Sequence, residues 1–280
     1  MSIASLAAES LARISRNHRY SREPVALLSR ASGRGVRRLA RFVASRELPY
    51  VDINGYRRFA DIHDHIELEG FLGIGRLDLC VAQLIHPGDW VIDIGANVGL
   101  LTSHLCRLVG PRGSVWAVEP IPRNIQRLHE LANLNLLPQL RIFEGALSNI
   151  TGEAAIRLPA GHQSGWASFT ASWITGGSLP TQTWRLDDLV ADDSRRIRLI
   201  KLDVEGFEPQ VLAGATRTLN SMRPYVMCEF NDIVLKDAGT SSNELLRMFA
   251  ELGYRPSQTC LKQSTQLEER VVDLLMESVH

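Results

Sequence analysis

Short apolar runs alternate with amphipathic segments along most of the chain. The apolar runs predict strands at 90–94, 115–118, 140–143, 199–202 and 225–230. An apolar residue at every third or fourth position predicts helices at 75–85, 99–109, 122–136, 209–219 and 242–252. Regular alternation of strands and helices is typical of βα units that build a parallel sheet. We therefore expect an α/β fold with a Rossmann-like sheet.

Two segments depart from this alternation. Residues 150–185 are rich in Gly, Ser, Thr and Trp, which predicts β-hairpins or a long loop inserted between the third and fourth strands. Residues 1–60 predict short basic helices followed by a hairpin, with Asn54-Gly55 as a type I′ turn. We divide the chain into a basic helical N-terminal extension with a hairpin (1–60) and a main domain (61–280) that contains the insertion (about 150–185).

The charge of the chain is balanced overall but unevenly distributed. The formal net charge is zero, so the chain as a whole offers no general attraction to nucleic acid. Residues 1–50 contain ten Arg and three acids, which gives +7 there and leaves −7 for the rest. Three roles compete for residues 1–46: packing on the acidic remainder as a lid, forming a homo-oligomer, or making peripheral contact with an anionic membrane. Charge complementarity favours the first role.

The four Cys residues are widely spaced and form no CxxC pair, which indicates reduced core thiols. No apolar stretch approaches the roughly 20 residues that span a bilayer. We expect a cytoplasmic protein, and an organelle transit peptide is the less favoured interpretation of the Arg-rich N-terminus.

The segment Val91–Gly99 carries the first chemical signal. An apolar run ends in Asp93 and turns through Gly95 and Gly99 into a helical pattern, where glycines let a ligand approach and a helix N-terminus offers free amides. The spacing differs from the GxGxxG of dinucleotide-binding proteins, and Asp93 would repel a pyrophosphate. The same acid is favourable beside an ammonium and a sulfonium, which points to S-adenosylmethionine.

Two further turns complete a nucleoside site. Glu119 ends the next apolar run, 20 residues beyond Gly99, where an acid can bind both ribose hydroxyls. The third strand ends in Glu144-Gly145-Ala146, where a small residue lets adenine lie flat and a polar group can meet its amino nitrogen. The predicted cofactor contacts are Asp93, Gly95, Ala96, Asn97, Gly99, Thr102, Glu119, Pro120, Glu144, Gly145, Ala146 and Asp203.

Several motifs in this order resemble the FkbM family of methyltransferases over residues 88–230. The motifs are Gly88–Gly99, Glu119-Pro120, Gly145–Ser148, Leu186–Leu189, Ile200–Glu208, Val211–Ala215 and Arg223-Pro224. The resemblance implies a class I methyltransferase sheet, mostly parallel with an antiparallel last strand, and makes 61–280 the cofactor-binding catalytic domain. It also implies O-methylation of a hydroxyl on a polyketide or sugar, so that the partner is a small-molecule or glycan acceptor.

The residues at the end of the fourth strand are candidates for activating the acceptor hydroxyl. Methylation of a hydroxyl requires an aligned oxygen and a group that takes its proton. We expect Asp203 to act as general base or to support the methionine ammonium, and Glu205 to share this role. For Glu205 and Glu208, capping of the helix near Pro209 is the competing interpretation. His162, in the insertion, is a further candidate for base or acceptor clamp.

Three alternatives remain open. Asp203 could join Glu229, Asn231 and Asp232 in a divalent metal site, although we predict no metal. N-methylation of another acceptor is disfavoured because Asp203–Gly206 stands where amino methyltransferases of nucleic-acid bases usually carry a Pro-Pro turn. A catalytically inactive nucleoside-binding subunit is disfavoured because Asp93, the glycines and Glu119 are intact.

Overall fold

The computed structural model describes residues 47–61, 64–71, 79–158, 177–257 and 271–279. His162 and the extension 1–46 lie outside these residues, so the predictions made for them stay predictions. Among the described residues, helices are too short or too polar to cross a bilayer.

The described chain contains strands and helices in the alternating order that the sequence predicts. The strands are β1 (Leu48–Val51), β2 (Arg57–Ala60), β3 (Trp90–Ile94), β4 (Ser114–Glu119), β5 (Leu140–Glu144), β6 (Ala146–Leu147), β7 (Gly152–Arg157), β8 (Ser178–Trp184), β9 (Ile197–Leu202), β10 (Tyr225–Asn231), β11 (Tyr254–Pro256) and β12 (Val271–Ser278). The helices are α1 (His65–Phe71), α2 (Leu79–Ala82), α3 (Leu100–Val109), α4 (Pro122–Asn135), α5 (Leu186–Leu189), α6 (Glu208–Ala213), α7 (Thr216–Met222), α8 (Asp232–Asp237) and α9 (Ser242–Glu251).

A seven-stranded sheet forms the centre of the molecule, in the order β11-β12-β10-β9-β3-β4-β5. Strands β10, β9, β3, β4 and β5 are parallel, and the last strand, β12, pairs antiparallel with both β10 and β11. Every residue of β3 and β4 is buried, as expected for parallel strands that are covered on both faces. The predicted Rossmann-like methyltransferase sheet, with its antiparallel last strand, is confirmed.

The prediction of one continuous helix at 209–219 is wrong, because the structure has two helices there, α6 and α7, which meet near Gly214. A Cβ at Gly214 would lie 1.9 Å from the carbonyl oxygen of Ser148, so the chain crosses another backbone at this point. The carboxylate of Asp187 then accepts the backbone amides of Arg217 (3.0 Å) and Thr218 (2.7 Å) and caps the first turn of α7. A tertiary contact therefore divides a segment whose hydrophobic pattern is continuous.

The insertion contains a hairpin, as predicted. Strands β7 and β8 are antiparallel and form a three-stranded sheet with β6, while residues 159–176 lie outside the described part of the chain.

The hairpin β1–β2 is also confirmed, but its predicted turn type is wrong. A type I′ turn needs positive φ at both central residues, and only Gly55 of the Asn54-Gly55 pair has one, at 85°. The amide of Gly55 instead donates to the carbonyl of Asp52 (3.0 Å), and the Asp52 carboxylate accepts the amides of Asn54 (2.8 Å) and Tyr56 (3.0 Å). This side chain organises a longer turn that the Asn-Gly pair alone does not indicate.

Candidate functional site

A cleft of about 220 Å³ opens at the carboxyl ends of the central strands, where ligands bind in open α/β sheets. It brings together predicted residues from four different turns, namely Gly95, Asn97, Glu119, Pro120, Gly145, Ala146, Asp203 and Glu205. Glu229 also lines the cleft, although the sequence analysis named it only as part of the metal-site alternative.

The turn after β3 is held by hydrogen bonds of its own backbone amides. Each backbone amide of residues 95–99 donates to an acceptor within the protein. The pairs are Gly95 and Ala96 to Val118 O (3.0 and 3.1 Å), Asn97 to Glu119 Oε2 (2.8 Å), Val98 to Asn97 Oδ1 (2.7 Å) and Gly99 to Ala96 O (3.0 Å). The amides of the turn that leads into α3 are therefore engaged within the protein, while the expectation of free amides at the helix N-terminus, which begins at Leu100, stays a prediction.

The two glycines of this turn are required by packing. Gly95 has φ 74°, and a Cβ there would lie 1.8 Å from the carbonyl oxygen of Asp203. Gly99 has φ 82°, and a Cβ there would lie 2.7 Å from Leu128 on α4. Gly95 thus lets the ends of β3 and β9 meet, and this contact closes the floor of the cleft.

Glu119 is a buried acid at the end of β4, with 4% of its surface exposed. Its carboxylate accepts hydrogen bonds from the amides of Asn97 (2.8 Å) and Ile121 (3.0 Å) and from the side chain of Asn124 (3.1 Å). Burial raises the pKa of Glu119 to about 7, against the lowering effect of these donors. A carboxylate offers about four acceptor positions, so three donors leave room for one hydroxyl rather than the two that the sequence suggested.

Asp93 and Thr102 lie behind the cleft. Asp93 is 0% exposed, and its Oδ2 accepts the hydroxyl of Thr102 at 2.6 Å. Its Oδ1 lies 3.6 Å from the ammonium of Lys201, which is itself 6% exposed. The direct contact that we expected between Asp93 and a ligand ammonium therefore does not fit this geometry, because a lysine of the protein already neutralises the acid.

Three other predicted contacts also lie away from the cleft. Glu144 faces the surface, where one carboxylate oxygen lies 2.8 Å from Nε2 of His129. Ala96 packs with Ala117 and Leu128 in a small apolar cluster. The carbonyl of Gly99 accepts the guanidinium of Arg58 at 2.8 Å and thereby anchors the β1–β2 hairpin to the turn.

Three carboxylates meet at the other end of the cleft. Asp203, Glu205 and Glu229 each offer an oxygen, and these oxygens lie within 4.8 Å of one another. We call this group the acid cluster. Burial and then the charge of Asp203 raise the pKa of Glu205, to about 8, and they raise the pKa of Glu229 in the same direction. Oε2 of Glu229 is buried without a hydrogen-bond partner in the described part of the chain. The cluster therefore favours a proton or another cation.

The backbone after β9 holds Glu205 in an uncommon conformation. Glu205 has φ 53° and is followed by Gly206 at φ 93°, so two successive residues lie in the left-handed region. A non-glycine residue there costs free energy, and such strain concentrates at functional sites. Glu208 holds the turn, because its Oε1 accepts the amides of Val204 (3.0 Å) and Gly206 (3.4 Å). Glu208 thus holds the turn before α6 and does not cap the helix, which has no side-chain cap hydrogen bond, whereas Glu205 lines the cleft.

The other two residues proposed for a metal site are engaged elsewhere. The side chain of Asn231 accepts the amide of Ile233 and caps α8. Asp232 accepts the amide of Ser242 (3.1 Å) and pairs with Lys236 (2.9 Å).

One wall of the cleft was missed by the sequence analysis. Ile66 of α1 lines the cleft, and α1 is held against α4 by ion pairs. Arg123 lies 2.8 Å from Asp64 and 2.7 Å from Glu67, and Arg127 lies 3.1 Å from Glu67. The sequence did contain a signal for these ion pairs. The acids lie close together along one segment, and the two Arg residues lie one helical turn apart.

Comparison with known proteins gives a consistent result. A family model described as the methyltransferase FkbM domain matches residues 93–256. The 2-O-methyltransferase NoeI of Sinorhizobium fredii is 30% identical over an aligned length of 172 residues, which covers 54% of this chain and 67% of that protein.

Two further relatives are more distant. The hexuronic acid methyltransferase AglP of Haloferax volcanii is 28% identical over 165 residues, covering 58% of this chain and 62% of that protein. The 31-O-demethyl-FK506 methyltransferase FkbM of Streptomyces tacrolimicus is 26% identical over 158 residues, covering 46% of this chain and 60% of that protein. The chain thus spans between 60% and 67% of the length of these relatives.

Proposed function

The chain belongs to the FkbM family of methyltransferases, and on this premise we propose that it transfers a methyl group from S-adenosylmethionine to a hydroxyl oxygen of a sugar, glycan or polyketide-type natural product. The observation that carries this proposal is the cleft at the strand ends, which has the buried acid Glu119 on β4 and the acid cluster on β9 and β10.

The cleft suits the chemistry of this cofactor. Glu119 has one acceptor position left for a ribose hydroxyl, and Gly145 and Ala146 provide small residues on the neighbouring turn. The acid cluster provides negative charge for the cationic sulfonium and ammonium groups. A pyrophosphate would meet the same carboxylates, which supports a nucleoside with a cationic substituent.

Proton removal is the task that remains for the protein. When bound, S-adenosylmethionine supplies an electrophilic methyl group on sulfur and leaves as a neutral thioether, so the acceptor hydroxyl must give up one proton. Glu205 is the base that we favour, because a pKa of about 8 lets its carboxylate accept a proton near neutral pH. Asp203 lies 3.2 Å from the ammonium of Lys201 and also lines the cleft, where it can orient a cation.

The acceptor is proposed to be neutral near its reacting hydroxyl. Four acids line the cleft in the described part of the chain (Glu119, Asp203, Glu205 and Glu229), and apolar residues such as Ile66 and Phe207 provide its other surfaces. An acceptor with its own carboxylate close to the methyl group would be repelled. By their names, the relatives act at a 2-O position, on a hexuronic acid and on 31-O-demethyl-FK506. Because a hexuronic acid carries a carboxylate, only the part of the acceptor next to the methyl group is proposed to be neutral.

The experiment measures cofactor binding before turnover. We expect isothermal titration to detect binding of both S-adenosylmethionine and its demethylated product S-adenosylhomocysteine. In a second assay, we expect the protein to transfer radiolabelled methyl from S-adenosylmethionine to hydroxyl acceptors. Binding without transfer to any sugar or macrolide acceptor would favour the inactive-subunit alternative. Label that appears on nitrogen would favour the N-methylation alternative.

A divalent cation is the second candidate occupant of the acid cluster, since its three carboxylate oxygens lie within 4.8 Å of one another. Oxygen ligands of this kind suit magnesium or calcium. We expect turnover to survive EDTA, because Glu205 can take the proton without a metal. Complete loss of activity in EDTA with rescue by magnesium would favour the metal-assisted mechanism.

A further inference from the structure

Lys201 is a buried lysine at the centre of the site that the proposed chemistry has not yet used. It lies on β9, and its Nζ donates to the carbonyl oxygens of Gly95 (2.6 Å) and Ile94 (3.4 Å). The same ammonium lies 3.2 Å from Asp203 Oδ2 and 3.6 Å from Asp93 Oδ1. One cation thus joins the end of β3, the glycine turn and the end of β9.

The charges around Lys201 explain why a lysine is tolerated there. An ammonium or a carboxylate that is buried without a partner strongly destabilises the folded state. Asp93 is 0% exposed and Lys201 is 6% exposed, so each needs the other. Burial by itself lowers the pKa of Lys201, but Asp203 and Asp93 outweigh this effect and raise it. Lys201 therefore pairs with two aspartates at once, which offsets the cost of burying its charge.

We propose that Lys201 is a positioning residue for the methionine end of the cofactor, which it serves by neutralising Asp93 and holding the Gly95 carbonyl and the Asp203 carboxylate in place. Recognition of the cofactor ammonium then falls to Asp203, which lines the cleft, and not to Asp93, which lies behind it. This inference rests on the proposed function, because it assumes that S-adenosylmethionine occupies the cleft.

The order of the strands separates the two ends of the cofactor. Lys201 acts between β3 and β9, whereas Glu119 ends β4 and Gly145 follows β5 on the opposite side of β3. The adenosine is proposed to lie on the Glu119 side and the methionine on the Lys201 side. A change at Lys201 should therefore affect ligands that carry the amino acid and spare those that lack it.

The test compares three ligands by isothermal titration: S-adenosylmethionine, S-adenosylhomocysteine and 5′-methylthioadenosine, which keeps the adenosine but lacks the amino acid. For Lys201→Met we expect the first two to bind at least about tenfold more weakly, as for the loss of a charge-assisted interaction, and methylthioadenosine to bind within about twofold of the wild type. Lys236→Met is the matched control, because Lys236 is an exposed lysine that pairs with Asp232 on α8.

Asp93 variants separate positioning from folding. The double variant Asp93→Asn with Lys201→Met removes both charges of the pair, so it should recover the Tm that Lys201→Met loses. We expect it to keep the weak binding of S-adenosylmethionine, because the Gly95 carbonyl and Asp203 are no longer held. Asp93→Asn alone, which leaves Lys201 in place, should bind S-adenosylmethionine within about threefold of the wild type, well below the effect of losing a direct charged contact.

Each outcome bears on one hypothesis. Equal weakening of all three ligands would show that Lys201 only supports the fold, and unchanged binding of S-adenosylmethionine in the double variant would overturn the inference. If Lys201→Met does not fold, the double variant still decides between these outcomes. A wild-type protein that binds none of the three ligands would instead refute the proposed function.

Discussion

The carboxylate of Glu119 accepts the backbone amide of Asn97 at 2.8 Å, and this bond joins the end of β4 to the turn that follows β3. Asn97 has φ 52°, so the turn is held in a left-handed conformation from which its amide reaches the acid. The same carboxylate lines the cleft. Glu119 therefore shapes the nucleoside site and also offers it an acceptor for a hydroxyl.

Replacing Glu119 with Ala should weaken binding of S-adenosylmethionine and of 5′-methylthioadenosine by at least about tenfold, because a charge-assisted hydrogen bond to the ribose is lost. Glu144→Ala is the control, since Glu144 ends the adjacent strand β5 but faces the surface beside His129. Isothermal titration measures both variants. Equal affinities for the wild type and Glu119→Ala would show that Glu119 does not contribute to cofactor binding.

Replacing Glu205 with Gln should lower kcat by about a hundredfold to ten-thousandfold, the usual contribution of a general base, while changing cofactor affinity little. The wild-type rate should rise with pH as the Glu205 carboxyl, whose pKa burial raises to about 8, loses its proton. A bound sulfonium favours the carboxylate and moves this rise to lower pH. The pH–rate profile of Glu205→Gln should lack this rise of rate with pH, and steady-state kinetics between pH 6 and pH 9 measure both profiles. If Asp203→Asn alone removes the rise, Asp203 is the base.

The stability of the protein should fall as pH rises through the neutral range. Burial raises the pKa of Glu208 to about 7 and that of Glu205 to about 8, from the ordinary glutamate value of 4.5. Carboxyls of this kind bind protons more tightly in the folded state, so their stabilising contribution is complete below the unfolded pKa and is lost as pH rises through the folded pKa. We expect Tm to decrease between pH 5 and pH 8, and Glu205→Gln to flatten this decrease. A Tm that rises over this range would contradict the assignment.

The ion pairs between α1 and α4 should contribute strongly to stability. Arg127 is 6% exposed and Glu67 is 2% exposed, so Arg127→Met leaves a buried carboxylate short of a partner. We expect a loss near the lower end of the usual 3–5 kcal/mol, about 3 kcal/mol, because Arg123 still lies beside Glu67. Arg247→Met is the control, since both members of its pair with Glu244 are exposed and such pairs contribute about 0–1 kcal/mol. Urea unfolding measures both, and equal losses would argue against the role of burial.

Deletion of residues 1–46 tests the lid that charge complementarity suggests. The described cleft is built from residues beyond this segment, so cofactor affinity should be retained, whereas acceptor kcat/KM should fall if the extension covers the acceptor. Size-exclusion chromatography and sedimentation with anionic liposomes examine the two competing roles. A truncated protein that keeps acceptor turnover but no longer sediments with liposomes would refute the lid and support membrane contact.

The amino-acid sequence alone determined the sheet and the local turns of the site. The five predicted central strands lie within two residues of their observed ends, because buried parallel strands are continuous apolar runs that can be recognised without their neighbours. Gly95, Asn97 and Glu119 were found because each belongs to a short motif at a strand end.

Only the tertiary structure decided which charged groups meet. Glu229 joins Asp203 and Glu205 because β10 lies beside β9, and Lys201 neutralises Asp93 because β9 lies beside β3. The break in the predicted helix at Gly214 has a similar origin, since it follows from the approach of Ser148. Hydrophobic periodicity is a local property of the chain, whereas the pairing and burial of charges depend on strand order. Strand order brings together residues that are distant in sequence. For this reason the sequence suggested the meeting of Asp203 and Glu229 only as one alternative and did not indicate the pairing of Lys201 with Asp93.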